Sequence, residues 1–345
     1  DDQIGNTTGM ADGWNWELTK NGSYWDLGFI GPNVSDTYDD LERNSESIQG
    51  FMALQSASMS LMLGYDCRAG GQSKWCASLS GRQAGVTSGG NQSAGVLVVS
   101  YQPDSRVRLG AFLDQQVRHS EADGLELKSS LPYLGGFVRY DESGDGQGLQ
   151  GKLAGVLNAG ELRITRLPAS ASSEKGSGDS DFLSYALDAE LGWGVRLGGK
   201  WLATPYLGIR HLSNARDSYS EEASDTVHFP ISYSGYGLGS TAARAGLRLE
   251  GELTEDLGLA VTAGLEYDID TEFDDYSGTS AIPGLGTFAI PYPFETDSVR
   301  PVGSAVLSYH VDESQDVSVG VYVQRSNYGE QAAASALLLN YVARF

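Results

Sequence analysis

Few stretches of this 345-residue chain set reactive residue types at spacings that would let them act together. Gly178-Asp179-Ser180 matches the start of a GDS-type esterase block, in which the serine would be the nucleophile. It lies in a Ser- and Gly-rich stretch without a histidine nearby to take the proton, so a solvated loop is the expectation. The histidines, His119, His211, His228 and His310, are scattered, and no HExxH, GxxxxGK[ST] or paired-Cys zinc pattern occurs. Asp268–Asp275 (D-I-D-T-E-F-D-D) has carboxylates enough for a hard cation such as Ca²⁺, but its spacing matches no EF-hand loop. A solvated acidic rim is the simpler reading of that stretch. The sequence thus points to no catalytic, cofactor-binding or metal-binding residue.

The charged residues do show a period of two, which is the mark of a strand with two different faces. Arg106 and Arg108 face away from Val107, Leu109, Ala111 and Leu113. Asp188, Glu190 and Arg196 alternate with the run Leu183 to Leu197, and Arg244, Arg248 and Glu250 with Ala245, Leu247 and Leu249. Glu266 opposes Leu265 and Tyr267, and Arg210 belongs to the same pattern. Twelve such runs are expected, at about 75–83, 92–101, 105–118, 125–140, 147–166, 181–198, 200–213, 241–253, 256–270, 298–311, 315–326 and 332–345. Two are less regular: 125–140 is apolar on both faces near its end, and 149–165 changes phase around Asn158-Ala159-Gly160, as at a bulge.

An even number of strands suits a closed antiparallel barrel. Alternate connections are short (Gln102-Pro103-Asp104, Asp141–Gly146, Gly199, Thr254-Glu255, Asp312-Glu313-Ser314), and the others are mostly longer. Short turns on one rim and long loops on the other are what outer-membrane barrels show. Soluble sandwich strands usually run ~5–6 residues, whereas several runs here reach twelve or more. The ten charged residues named above would then line a wet lumen of mixed sign, with Leu, Val and Tyr facing lipid.

Composition is compatible with that. Lys and Arg number 23 against 45 Asp and Glu, a net charge of -22, so no basic surface is available for nucleic acid. No apolar run nears the ~20 residues of a transmembrane helix. A mean hydropathy of -0.26 is what alternating faces plus long loops average to.

The first 75 residues differ from the rest. Trp14–Thr19 and Ser23–Phe29 flank Asn21-Gly22, a strong hairpin signal, with aromatics on both arms that suggest packing on something. Gly31-Pro32 ends the hairpin. From Asp36 to about Leu63 there is no Pro and one Gly, which predicts a helix with Asp36 as N-cap and Asp39 and Asp40 in its first turns. Ser, Gln, Ala, Met and Leu are spread around it without a single apolar stripe, so it should be wetted or contacted on all sides. About 28 residues would span roughly 40 Å, enough to thread a barrel. Cys67 and Cys76 close a short loop, and in an exported chain the expectation is a disulfide, with free thiols as the alternative. The start at Asp1-Asp2-Gln3 suggests either a removed signal peptide or the C-terminal piece of something longer.

The last stretch places Leu337, Leu339, Tyr341, Ala343 and Phe345 on one face. Together with Leu63-Gly64-Tyr65-Asp66-Cys67, Ser80-Gly81-Arg82, Arg108-Leu109-Gly110-Ala111-Phe112, Thr204–Arg210 and Tyr219-Ser220-Glu221, this order resembles the translocator unit of type V secretion autotransporters. The resemblance covers about residues 14–345. It implies an all-β fold, a 12-stranded antiparallel transmembrane β-barrel with an N-terminal helix threading the lumen. Residues 1–35 would be the end of the passenger, 36–66 the linker helix in the pore, and 67–345 the barrel. It further implies a monomer in the bacterial outer membrane, among lipid and LPS, with its own passenger segment outside the cell. Phe345 would be the signal read by the barrel-assembly machinery, and export would need no ATP. Some members of the family cut themselves with lumenal acidic residues, but that motif does not match Asp36–Ser47. The rival is a general diffusion porin, yet a sixteen-stranded porin would begin its strands near residue 1 and space them more closely.

Overall fold

In a computed structural model, the period-two runs form long antiparallel strands that close on themselves. The structure describes residues 7–11, 14–30, 32–69, 73–87, 90–120, 122–170, 172–198, 200–292, 299–326 and 333–345. Asp1–Gln3, Gly31, Gly70-Gly71, Gly199 and the connection 327–331 lie outside them.

The chain opens with β1 (Thr8–Ala11), β2 (Trp14–Asn21) and β3 (Tyr24–Ile30), then α1 (Val34–Met62). There follow β4 (Trp75–Val86), β5 (Gly90–Tyr101), β6 (Val107–Ser120), β7 (Leu125–Ser130), β8 (Tyr133–Asp141), β9 (Gly148–Thr165), β10 (Ser177–Leu197) and β11 (Trp201–Arg216). Next come β12 (Tyr219–Ser220), β13 (Ile231–Tyr233), β14 (Tyr236–Glu252), β15 (Leu257–Phe273), β16 (Tyr276–Ser280) and β17 (Thr287–Ile290). The chain ends with β18 (Val299–Asp312), β19 (Gln315–Arg325) and β20 (Ala333–Arg344).

Consecutive barrel strands pair antiparallel, and β20 pairs with β4 to close the ring. The 125–140 run is one wall segment in two pieces, β7 and β8, parted at Leu131-Pro132, where proline has no N–H for the ladder. With those two counted as one, the barrel has twelve strands. Closure leaves no unpaired sheet edge facing lipid.

Outward residues are apolar and exposed along the middle of the wall, among them Leu183, Leu187 and Leu191 on β10 and Val319, Val321 and Val323 on β19. Trp75, Tyr101, Tyr140, Trp193, Tyr309 and Tyr341 lie toward the short-turn end, and Tyr185 and Tyr267 toward the other. Leu257 sits opposite Tyr309, ten residues before Tyr267 on β15. At ~3.3 Å per residue and a tilt of ~40°, the aromatic levels are roughly 25 Å apart, the height of an outer-membrane apolar band.

Several local expectations shift. The β2–β3 turn centres on Gly22-Ser23, with Asn21 paired to Tyr24 and Gly22 at φ +67, one residue later than Asn21-Gly22. This hairpin gains β1 as a third strand, and its Tyr24 and Leu27 are exposed. The helix begins three residues early: Asn33 is the N-cap in place of Asp36, its Oδ1 accepting from Ser35 N (2.8 Å) and Asp36 N (3.2 Å). Asp36 is turned instead to the hydroxyls of Ser170 and Ser172, which hold its carboxyl below the usual range.

No bulge interrupts β9 at 158–160, because its register with β10 runs unbroken from Gly148 to Thr165. What inverts is the meaning of the faces. Above the apolar band the outward Glu161 and Arg163 are polar, while the inward Leu162 and Ile164 pack into an apolar core. The register shift in that neighbourhood belongs to β7, between Leu127 and Ser129. A second shift, on β15 at Ile269, turns Phe273 toward that same core.

The long connections are not bare loops. Segments 217–235 and 274–292 build a four-stranded sheet, β12-β13-β16-β17, over the outer mouth. Its Tyr219, Ile231, Tyr233, Tyr276 and Phe288 pack with Leu41, Ile48 and Phe51 of the helix.

Candidate functional site

The 29 residues of α1 run about 43 Å. Its first turns meet Ala169 and Ser170 beyond the end of β9, and its end leads to Cys67 and the start of β4. Polar residues are buried around its whole circumference, including Asp40, Asn44, Gln49, Gln55, Ser56 and Ser58. A helix with no apolar stripe is stable here because the lumen wall supplies partners on each side. Asn44 donates to Tyr276 Oη (2.9 Å), and Ser56 Oγ accepts from Asn214 (2.7 Å).

On one side the helix docks against β4–β6. Arg82 clasps Asp114 through Nε (2.7 Å) and Nη2 (2.8 Å), with both side chains fully buried. Ser58 accepts from Arg82 Nη1 (3.3 Å) and from Gln92, and Tyr65 donates to Asp114 Oδ2 (2.9 Å). Tyr65 also stands edge-on to Phe112, with ring centroids 5.3 Å apart.

The opposite wall is a ladder of alternating charges. Cross-strand register sets Lys152 beside Glu190, Asp188 beside Arg210, Arg244 beside Glu266, and Glu266 beside Arg300. Opposite charges in such directly facing positions stabilise a sheet. Glu266 receives Arg210 at 2.7 Å, Arg244 at 3.2 Å and Arg300 at 3.3 Å. Asp188 receives Lys152 at 2.7 Å and also Arg244, and Glu190 receives Arg248 at 3.1 Å. Between this ladder and the helix face at Ala57, Ser60 and Leu61 is a cavity of about 300 Å³.

Of the ten residues expected in the lumen, Asp188, Glu190, Arg210, Arg244, Arg248 and Glu266 stand in this ladder, and Arg108 pairs with Asp66 below it. Glu250 lies at its foot, 3.9 Å from Arg248. Arg106 and Arg196 do not reach it. They are exposed at the short-turn rim, where Arg196 meets Asp145 at 3.1 Å. Sequence reasoning missed Lys152, Arg300 and Arg82, although each shares the inward parity of its strand, whereas Asp114 and Asp268 keep the face of Arg108 and Glu266, on which the alternation puts them. Asp268 had been counted with the acidic rim, but Arg300 and Ser240 bind it, and Asp274 accepts from Gly237 N (2.8 Å).

Above the bilayer, Glu221 accepts from Arg166 Nε and Nη2 (2.9 Å each), Ile231 N (3.0 Å) and Tyr233 Oη (2.9 Å). Burial opposes the Arg166 charge, but the bonds to Glu221 outweigh it and hold the guanidinium pKa above its ordinary value. Thus Arg166, just past the end of β9, is tied to the cap sheet. Below the bilayer, Cys67 and Cys76 are joined by a disulfide, Cα to Cα 5.6 Å, linking the helix exit to the first barrel strand. Phe345 exchanges backbone hydrogen bonds with Trp75, 3.0 Å each way, at the end of the β20–β4 seam.

Ser180 donates to the carbonyl of Asp217 (2.8 Å) and Asp179 pairs with Arg163 (3.1 Å), so the GDS stretch is part of a strand extension. Among the described residues no group of three or more His, Cys, Asp or Glu side chains is placed to hold a metal ion.

The sequence matches the autotransporter beta-domain family over residues 42–324. Among solved structures, the chain is similar to the translocator domain of autotransporter NalP from Neisseria meningitidis. The TM-score is 0.59 at 17% identity, over 92% of this chain and 99% of that one. The beta domain of the Bordetella autotransporter BrkA aligns with a TM-score of 0.47 at 14% identity, over 80% of this chain and all of that one. At these identities the likeness is one of fold. No curated protein matches the chain. Extensive coverage by the family pattern, with the closed twelve-stranded barrel and its helix, establishes that the chain belongs to the autotransporter β-domain family of outer-membrane translocators.

Proposed function

We propose that residues 67–345 anchor the protein in the outer membrane and form the pore for export of a passenger joined N-terminally. In this reading residues 36–66 are the linker that remains in the pore, and residues 1–35 are the end of the passenger outside the cell. The observation that carries it is the polar helix lying along a closed lumen, its N-terminus among the outer segments and its C-terminus beside the first strand. A hydrated lumen can hold such a helix, while the closed barrel satisfies every strand edge in lipid. The chain acts as a conduit and anchor and not as an enzyme. Folding of the passenger outside supplies the drive without ATP. The barrel works as a monomer among outer-membrane lipid and LPS, with no nucleic-acid partner, and Phe345 is the assembly signal met by the barrel-assembly machinery.

Conductance in planar bilayers tests this. The full chain should be nearly silent and a chain lacking residues 1–66 should conduct steadily. Equal currents from both would refute the plug and favour a diffusion channel.

A further inference from the structure

The register of three adjacent strands sets like charges side by side. Arg108 on β6 lies directly opposite Arg139 on β8, and Arg139 directly opposite Lys152 on β9. Like charges in such positions destabilise a sheet. Lys152 has counterions on the neighbouring strand, Asp188 at 2.7 Å and Glu190 at 3.9 Å. The two arginines converge instead on a carboxylate that is not part of the wall. Asp66, in the segment after the helix, accepts from Arg108 Nε (2.8 Å) and Nη2 (2.7 Å) and lies 3.1 Å from Arg139 Nε.

Beside Asp66 a cavity of about 140 Å³ reaches the short-turn rim at Arg106, Asp141 and Gly146. Its charged lining is six basic residues against four acidic ones, the reverse of a chain with 45 acidic and 23 basic residues. Of the four, Glu190 is engaged by Arg248, Glu250 lies 3.9 Å from the same Arg248, and Asp141 accepts from the backbone of Gly144 and Gly146. Without Asp66 the arginine pair would face this space with no carboxylate of its own.

We propose that Arg108 and Arg139 form a carboxylate-binding site at the periplasmic mouth, and that Asp66 is its tethered ligand, a latch that holds the plug seated. The planar guanidinium fork of Arg108 matches a carboxylate bidentately. With the tether removed, the site takes small free carboxylates. This inference rests on the reading of the helix as a plug.

The test uses full-length Asp66→Ala in planar bilayers, with acetate as the probe. Unchanged heat-modifiable migration in electrophoresis confirms a folded barrel. Openings should become about tenfold more frequent than in the unaltered chain, a change of about 1.4 kcal/mol. They should favour chloride over potassium, and acetate on the short-turn side should close them in a saturable manner. Asp66→Glu should stay quiet, and Arg108→Ala added to Asp66→Ala should abolish the acetate effect. Asp66→Ala as silent as the unaltered chain, while the chain lacking 1–66 conducts, would overturn the latch alone. Cation-selective openings, or openings indifferent to acetate, would overturn it equally. Silence of the truncated chain would remove the plug and the latch with it.

Discussion

Replacing Glu221 by Gln should open the outer cap without unfolding the barrel. The carboxylate accepts four hydrogen bonds, two from Arg166 and one each from Ile231 N and Tyr233 Oη, and Arg166 is 1% exposed. Glutamine keeps the shape but removes the counterion, and its amide NH₂ would point donors at donors. Breaking one partner of a buried ion pair costs about 3–5 kcal/mol. At the lower figure, cap opening becomes roughly 150-fold more frequent. The barrel ladder is a separate set of bonds, so the loss should stay local. Hydrogen exchange of residues 219–233 and 276–290, followed by mass spectrometry at one pH, reads this directly. Those segments should lose protection by two orders of magnitude while β10, β11 and β14 keep theirs. Pairing Glu221→Gln with Arg166→Met should recover much of the loss, because the stranded cation is gone. Unchanged protection in the cap of Glu221→Gln would show that the clasp does not hold it.

Gly110→Val should lower the temperature at which the folded barrel loses its fast electrophoretic mobility. A Cβ at Gly110 would lie 2.2 Å from the Phe137 ring, and such overpacking costs roughly 1–3 kcal/mol. Gly81→Ala meets nothing within 4 Å and should leave the midpoint unmoved. Reducing the Cys67–Cys76 bridge frees a loop with a sequence separation of 9, worth about 2.5 kcal/mol by loop entropy, and should raise exchange at residues 63–69. In alkali, burial pushes Tyr276 up to about 12, and Tyr219 and Tyr233 higher than ordinary as well. Their contribution to cap stability is complete below the unfolded tyrosine pKa of ~10 and is lost as pH rises through the folded values. Absorbance at 295 nm should therefore show a late ionisation step, and Glu221→Gln should move it to lower pH. A single step near the ordinary value in the unaltered chain would count against a closed cap.

The wall of the barrel was legible because lipid and lumen impose opposite demands on successive residues. Along Leu183–Leu197 or Val317–Val323 that alternation needs no tertiary information. Asp188, Glu190, Arg244 and Glu266 could be placed inward for the same reason, and the absence of an apolar stripe from 42–63 marked a helix contacted on all sides. Above the bilayer the rule inverts, which is why Leu162 and Ile164 looked like a change of phase and why the acidic stretch Asp268–Asp275 looked like a rim. There β15 carries a register shift at Ile269, and Asp268 is already inside, bound to Arg300.

Parity along one strand fixes the face on which a residue lies, but not its neighbour. Whether Arg108 meets a carboxylate or another arginine depends on the register between strands more than twenty residues apart. That register follows from loop lengths, bulges and closure of the ring. Hence the chain alone determined a barrel, the inward face of its strands and its helix. Only the tertiary structure decided that Arg82 would clasp Asp114, that two loops would fold into a cap over the helix, and that Asp66 would sit between two arginines.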